Sequence, residues 1–400
     1  VLTITMKFSR NVILSIFMIG TFAIGMTEYA VTGLLTQFAA DLDVAVSTTG
    51  LLLSVYAISV AVCGPLLRIL TVKYSPKPLL IVLISIFIVS NMVAATAPSF
   101  EILLLSRLLS ATMHAPFFGL AMSMAVEISP PHKRTSAIAA VQGGLTIAVM
   151  LGVPFGSYIG GILDWRLVFW FITLMGVINL IGLMIVTPNM KQKEVPKLKN
   201  ELAVLKNKNV WMLIAIIVFS FSGVFTAYTF TEPMLRELAG FDLTSITIGL
   251  FLFGFGAVTG NFLSGRFQPE VLTERLMVAM AILGTVLISF TFLLMNPFLT
   301  YVACFLFGAG TFGTTPILNT KIILAATEAP ALSGTIAASV FNLANSIGAT
   351  LGSLLLTNHF SFREITFVAG GMIFFGVILI IVTHKIEDKS LFTAPKEVYE

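Results

Sequence analysis

Charge is the scarcest commodity in this sequence. Only 10% of its 400 residues are Asp, Glu, Lys or Arg, against roughly 25% in an ordinary globular domain. So little polar surface cannot cover a water-soluble body of this size, which excludes a soluble fold. Cysteine is nearly absent. Cys63 and Cys304 lie in apolar runs without metal-type spacing, which excludes a disulfide framework and a zinc site, and no cofactor or metal is expected. The net charge of +4 is too small for a nucleic-acid binder. Polar intervals of domain length are also missing, leaving no room for a catalytic or receptor domain outside the apolar segments. What dominates instead is apolar sequence, 57% of the chain, with a mean hydropathy of +0.99. It is arranged in runs of about 20 residues, the length of a helix that crosses a bilayer.

Uninterrupted apolar length predicts twelve spans, at 11-36, 48-67, 78-97, 102-126, 136-163, 167-187, 210-231, 244-265, 276-295, 298-320, 332-357 and 365-383. The expected fold is all-α, a polytopic membrane protein. Lys7 and Arg10 precede the first run without a small-residue cleavage pattern, which fits a retained first helix. Lys and Arg gather on one side: Lys7, Arg10, Arg68, Lys73, Lys77, Lys133, Arg134, six lysines between Lys191 and Lys208, Arg266, Arg275, Lys321 and the tail from Lys385 to Lys396. The other side carries Arg166, Arg236 and Arg363. Because positive charge marks the cytoplasmic side, both termini are expected in the cytoplasm, with the chain in a bacterial plasma membrane. The Lys-rich interval 188–209 divides the spans six and six. The expected organisation is a bundle over 1–187, a cytoplasmic linker over 188–209, a second bundle over 210–385 and a tail over 386–400. A faint repeat, Asp43 to Gly50-Leu51 and Asp242 to Gly249-Leu250, supports two pseudo-symmetric six-helix bundles.

Within the spans as drawn the formally charged residues are Glu28 and Arg107. Holding either ion in hydrocarbon costs on the order of 2.5–3.5 kcal/mol, so each needs a partner or a wet cavity. At about 1.5 Å of rise per residue both lie roughly 12 Å below the outer surface, and an ion pair between them is expected. Protonation of Glu28 would break such a pair, which suits a proton-driven carrier. The alternative is that Arg107 is a structural tie to backbone carbonyls and Glu28 is wetted near the outer mouth. His114 lies seven residues after Arg107, on the same helix face, and is either a proton relay or solute ligand, or a hydrogen-bonded packing residue.

In span five Gly144, Gly152, Pro154, Gly156, Gly160 and Gly161 form a small-residue pattern, and Ala344, Gly348 and Gly352 repeat it in span eleven. Such faces let helices approach closely in lipid. Read together, the two suggest symmetry-related seams on which the halves rock, and Pro154 is expected to bend its helix. Gln142, Asn342 and Asn345 read as helix glue. Tyr228, Thr229, Thr231, Glu232 and Pro233 are candidates for an outer gate or an interfacial anchor, with Tyr228 and Glu232 as possible cavity residues. None of the 34 phenylalanines identifies a substrate.

These stretches resemble the major facilitator superfamily, within the drug:proton antiporter group that includes the AraJ-like sugar-efflux and purine-efflux permeases. The resemblance rests on Thr27-Glu28-Tyr29 with Gly33-Leu34-Leu35, Arg107 with His114, the span-five glycines, Asp164-Trp165-Arg166 with Phe169, the run Tyr228 to Pro233, and Asn342, Asn345, Gly348 and Gly352. It implies a central cavity lined by spans one, four, seven and ten, a role for Arg107 in proton coupling, and an exporter. In the loop after span two the family pattern Gly-x-x-x-Asp-Arg-x-Gly-Arg-Arg is degraded to Arg68-Ile69-Leu70-Thr71-Val72-Lys73-Tyr74-Ser75-Pro76-Lys77. Val72 replaces the aspartate credited with a charge latch, while Lys73 and Lys77 keep the basic character. The expected function is proton-coupled efflux of a small organic solute, a drug, sugar or nucleoside/purine, by a monomer whose partners are solute, protons and lipid. Competing readings are sugar or nucleoside uptake or facilitated diffusion, and a non-transporting receptor or scaffold. An intramembrane enzyme is disfavoured because no Ser/His or paired-carboxylate set falls at compatible depth.

Overall fold

A computed structural model describes residues 8–71, 74–130, 133–190, 206–264, 272–325 and 330–386. The described residues form helices and turns without a strand. The twelve spans are Arg10–Gly33, Val46–Leu67, Pro76–Ala95, Phe100–Glu127, Ala140–Ile162, Arg166–Val186, Lys208–Tyr228, Leu243–Ser264, Leu272–Leu293, Pro297–Ile322, Ile336–Thr357 and Phe362–Thr383. Their ends match the predicted ones to within about one helical turn. Most of the expected linker and nearly all of the tail fall outside the described residues, as do Lys7 and Lys73.

Each span is apolar on the side away from its neighbours. Leu105, Met184, Ile185 and Phe262 are all more than half exposed, the condition of a side chain that meets lipid. A helix satisfies most of its backbone polar groups internally, the requirement bilayer hydrocarbon imposes.

Two compact units emerge, Val1–Ala45 with Val55–Val195, and Val46–Ser54 with Pro196–Glu400. The second unit thus includes the first residues of span two. Within the first unit, span one packs on spans five and six, and span three packs on spans four and six. Within the second, span seven packs on spans eleven and twelve, and span nine on spans ten and twelve. The same pairings recur six spans later, as expected of a repeated six-helix bundle.

The small-residue stripes explain the tightest of these pairings and correct one expectation. A Cβ added at Gly156 would lie 3.1 Å from the Ala30 Cβ, and one at Gly144 would lie 2.7 Å from the Phe22 nitrogen and press on Thr21 and the Met18 carbonyl. Gly152 faces Met26 and Gly160 faces Leu34. The stripe therefore seats span five on span one, inside one unit. Gly348 and Gly352 likewise meet Phe225, Thr226 and Phe230 of the seventh span and its extension. These contacts are seams within bundles rather than rocking surfaces between halves, because the glycines approach backbone at van der Waals range. Gly161 is exposed.

Spans one, four and five are not continuous α-helices, and span two is broken at Gly50, between Val46–Thr49 and Leu51–Thr71. Span one is α-helical over Arg10–Tyr29 and tightens to a 3-10 turn over Ala30–Gly33. Span four is two helices, Phe100–Thr112 and His114–Glu127. Pro116 supplies the cause, since it has no N–H to bond the carbonyl four residues earlier. Span five widens to a π-turn over Ala148–Gly152 just before Pro154, which absorbs the backbone bond that Pro154 removes.

Candidate functional site

Glu28 is the last residue but one of the α-helical part of span one, and His114 is the first residue of the second helix of span four. Both interruptions therefore bring titratable side chains together. His114 Nδ1 lies 3.8 Å from Glu28 Oε2 and 3.0 Å from the Tyr56 hydroxyl. The Arg107 guanidinium lies over the Tyr56 ring, 4.2 Å from its centroid. The imidazole is stacked on Phe118 with centroids 5.1 Å apart. Glu28, Tyr56, Arg107 and His114 are all buried, so a carboxyl, an imidazole, a phenol and a guanidinium share one enclosure in the first unit. Such a set can hold a proton and pass it between acid and imidazole with little movement.

The expected Glu28–Arg107 ion pair is not formed: no Arg107 nitrogen lies within 4.0 Å of a Glu28 oxygen among the described ion pairs. Arg107 Nη1 instead donates to the Thr27 carbonyl at 2.5 Å and approaches Thr27 Oγ1 at 3.4 Å. Matching depth brought the two residues to one level, as expected, but helix phase turned the guanidinium to the peptide before the carboxylate. The tie to a backbone carbonyl, the alternative reading of Arg107, is what the geometry contains. The alternative reading of Glu28 as wetted near the outer mouth fails, since that residue is 8% exposed. Thr27 is itself held: its hydroxyl donates to Asn91 Oδ1 at 2.6 Å, and Asn91 Nδ2 donates to the Phe87 carbonyl at 2.8 Å. Spans one, two, three and four thus each contribute a polar residue.

Tyr56 and Asn91 escaped the sequence reading because both sit in runs judged by apolar length. The available signal was position: a tyrosine in mid-span, away from either interface, needs a polar partner for its hydroxyl. Lys321 was drawn outside span ten, yet it is buried within the helix Pro297–Ala325, where its Nζ donates to Thr273 Oγ1 at 2.5 Å. A hydropathy window stops at a lysine; the helix does not.

Tyr228 and Glu232 belong to the second unit. Tyr228 ends the helix Lys208–Tyr228 and packs on Phe253 with centroids 5.0 Å apart. Glu232, fully buried, opens the short helix Thr231–Glu237 and is bound by Arg236 at 2.7 Å.

Of the degraded loop motif, Lys73 and Val72 lie outside the described residues, as does the Arg68 side chain. Lys77 is described: its Nζ donates to the carbonyls of Met184, at 2.9 Å, and Thr187, at 2.7 Å. It thereby caps span six, where a cation complements the helix C-terminus.

Asp164, Trp165 and Arg166 form a clamp at the opposite end of the first unit. Arg166 donates to Asp41 at 2.7 Å and to the Ala97 carbonyl at 3.0 Å, while Trp165 Nε1 donates to the same Asp41 oxygen at 3.1 Å. The Arg166 hydrogen bond, helped by the Trp165 N–H against slight burial, holds the Asp41 carboxyl below the ordinary aspartate range. Apart from these polar sites, an apolar groove of about 370 Å³ is lined by Ile81, Val82, Ser85, Ile86, Val89 and Leu109.

Comparison with known proteins places this geometry in context. The profile of the Major Facilitator Superfamily matches residues 17–348. The MFS-type transporter YfhI of Bacillus subtilis (strain 168) is 46% identical over 386 residues, 96% of this chain and 97% of that one. A probable sugar efflux transporter of Helicobacter pylori (strain P12) is 28% identical over 362 residues, 89% and 91% of the two chains. Among solved structures, a bacterial homologue of the human lysosomal transporter Spinster superposes with a TM-score of 0.67 at 16% identity, over 93% of this chain and 95% of that one. That last likeness speaks for the fold alone.

Proposed function

Because the chain belongs to the Major Facilitator Superfamily, and is therefore a membrane-spanning transporter, we propose that it is a proton-coupled exporter of a small organic solute. It works by alternating access in a bacterial plasma membrane, with both termini in the cytoplasm. The observation that carries the coupling is the buried Glu28, 3.8 Å from His114 and beside Arg107, at the point where spans one and four are both interrupted. A carboxyl there exchanges a proton only when the helices around it rearrange, so protonation and conformation change together. His114 receives or returns that proton, with Tyr56 fixing its ring by the 3.0 Å hydrogen bond. Arg107 stays charged, and the alternation of charge on Glu28 beside it changes the field in the site. One charge moved through 100 mV is worth about 2.3 kcal/mol, enough to drive solute against a gradient. The outward direction draws on the resemblance of the span-five glycines to the antiporter pattern and on the sugar-efflux relative.

The test is flux in vesicles reconstituted with the whole chain, under an imposed pH gradient, with drugs, sugars and nucleosides as solutes. Glu28→Gln is expected to abolish gradient-driven accumulation while leaving the protein folded and counterflow exchange intact. Undiminished accumulation in that variant would remove Glu28 from the coupling step.

A further inference from the structure

One edge of the Arg107 guanidinium is unused. Nη1 is engaged by Thr27, but Nε and Nη2, both buried, make no hydrogen bond within the protein. In a side chain that is 1% exposed, such donors carry a desolvation cost that a native structure normally offsets. Their identity is informative. Nε and Nη2 lie on the same side of the guanidinium, with N–H bonds that run parallel, and this side-on edge matches the two oxygens of a carboxylate. The remaining edge, shared by Nη1 and Nη2, is already committed on one side to a single carbonyl, which leaves the Nε side as the bidentate one.

The surroundings favour an anion from outside the chain. The positive charge is not in contact with a carboxylate, since Glu28 lies against His114 instead. One face of it is aromatic, since the Tyr56 ring lies against the guanidinium, and Phe118 stacks on the imidazole of His114 in the same enclosure. A buried cation with one free bidentate edge and aromatic neighbours suits an acid with a compact apolar body.

We propose that the transported solute is a small organic carboxylate, held through its two oxygens by Nε and Nη2 of Arg107. This rests on the transporter reading above and names the chemical class it leaves open. The enclosed edge becomes reachable when spans one and four shift at their interruptions, and Glu28, the acidic neighbour, repels a bound carboxylate whenever it is ionised. Solute and ionised Glu28 thus exclude one another, so a bound carboxylate keeps Glu28 protonated and acid and proton occupy the site together, a coupling that needs no direct Glu28–Arg107 bond.

The experiment compares acids with their amides, which match in shape and differ in charge. The purified full-length protein in detergent, with no gradient, is titrated with benzoate, nicotinate and hexanoate, and separately with benzamide, nicotinamide and hexanamide, following the thermal midpoint. At least one acid is expected to raise the midpoint saturably where its amide does not. Arg107→Lys keeps the charge and loses the parallel pair, and is expected to weaken that acid by about tenfold, the equivalent of one charge-assisted hydrogen bond. Glu28→Gln, which removes the acidic neighbour, is expected to tighten it. The assignment is overturned if no acid exceeds its amide, if Arg107→Lys binds the acid as well as the parent, or if Glu28→Gln binds it more weakly. The acid–amide comparison needs no variant to fold. It also separates the two ideas: proton-driven flux of neutral solutes with no preference for acids would refute this assignment and leave the transporter reading standing, whereas Arg107-dependent acid binding without proton-driven flux would refute the proton coupling and leave Arg107 as the carboxylate site.

Discussion

Adding one methyl group at each of three glycines in span five offers a graded test of how that span is seated. Gly143, Gly144 and Gly156 all lie in helical backbone, so the gain of about 1 kcal/mol from replacing glycine by alanine in a helix is common to them and cancels between variants. What differs is the space. At Gly143 the nearest atom to an added Cβ is the Met18 sulfur at 4.0 Å, an ordinary contact. At Gly156 the Ala30 Cβ and carbonyl oxygen lie at 3.1 and 3.2 Å, so span one must yield by a few tenths of an ångström. At Gly144 the obstacles include the Met18 carbonyl and the Phe22 nitrogen at 2.7 Å, both backbone. A helix cannot move two backbone atoms without shifting as a whole, and overpacking of that kind costs about 1–3 kcal/mol. Gly144→Ala is therefore expected about 2 kcal/mol less stable than Gly143→Ala, roughly a thirtyfold change in the folded-to-unfolded ratio, with Gly156→Ala in between. Reversible unfolding of the three purified variants in one detergent, titrated with dodecyl sulfate, gives the differences. Equal stability of Gly144→Ala and Gly143→Ala would show that spans one and five are not in contact at Met18–Phe22, and the intrabundle seam would have to be abandoned.

Two further outcomes follow from polar contacts in the same unit. Thr27→Val keeps the shape and removes the hydroxyl that donates to Asn91, and is expected to cost about 1–3 kcal/mol because Asn91 Oδ1 is left buried without that donor; the same unfolding titration measures it, and a loss near zero would mean that Asn91 finds another donor. At the Asp41–Arg166 clamp, the folded carboxyl titrates below its ordinary value. Its contribution is thus present at neutral pH and disappears as pH falls through the folded value. Wild type is expected to exceed Asp41→Asn by less than about 1 kcal/mol at pH 7, since the pair is part-exposed, and the two should converge as pH falls below the ordinary aspartate range and through the folded value. A difference that grows on acidification would contradict the sign.

How much of this was legible beforehand depended on which physical quantity decided it. Span number and placement were readable because apolar length is a property of the chain alone, and the span edges moved by no more than about a turn. The level of Glu28 and Arg107 was readable for the same reason: rise per residue is fixed. What rotated each side chain was not. Arg107 reached Thr27 rather than Glu28 because the rotation of each helix about its own axis is set by packing on its neighbours, which rise per residue does not encode. The glycine stripes revealed that something packs closely at Gly144 to Gly160, but not what. A stripe carries no address for its partner, so a seam within one bundle and a seam between bundles look alike until Met18, Met26 and Ala30 are seen opposite. Tyr56 was hidden by an averaging window, as was the continuation of span ten through Lys321.

The bond from Arg107 to the Thr27 carbonyl has a mechanical consequence. That oxygen belongs to the peptide group linking Thr27 to Glu28, so anchor and acid are mounted on one rigid plane. Twisting the first helix to present the acid elsewhere must drag the anchored guanidinium along or tear it loose, and each route leaves a different set of hydrogens for a passenger to find. The amide plane serves here as a crank, through which the swing of one side chain is geared to the reach of another on a separate helix.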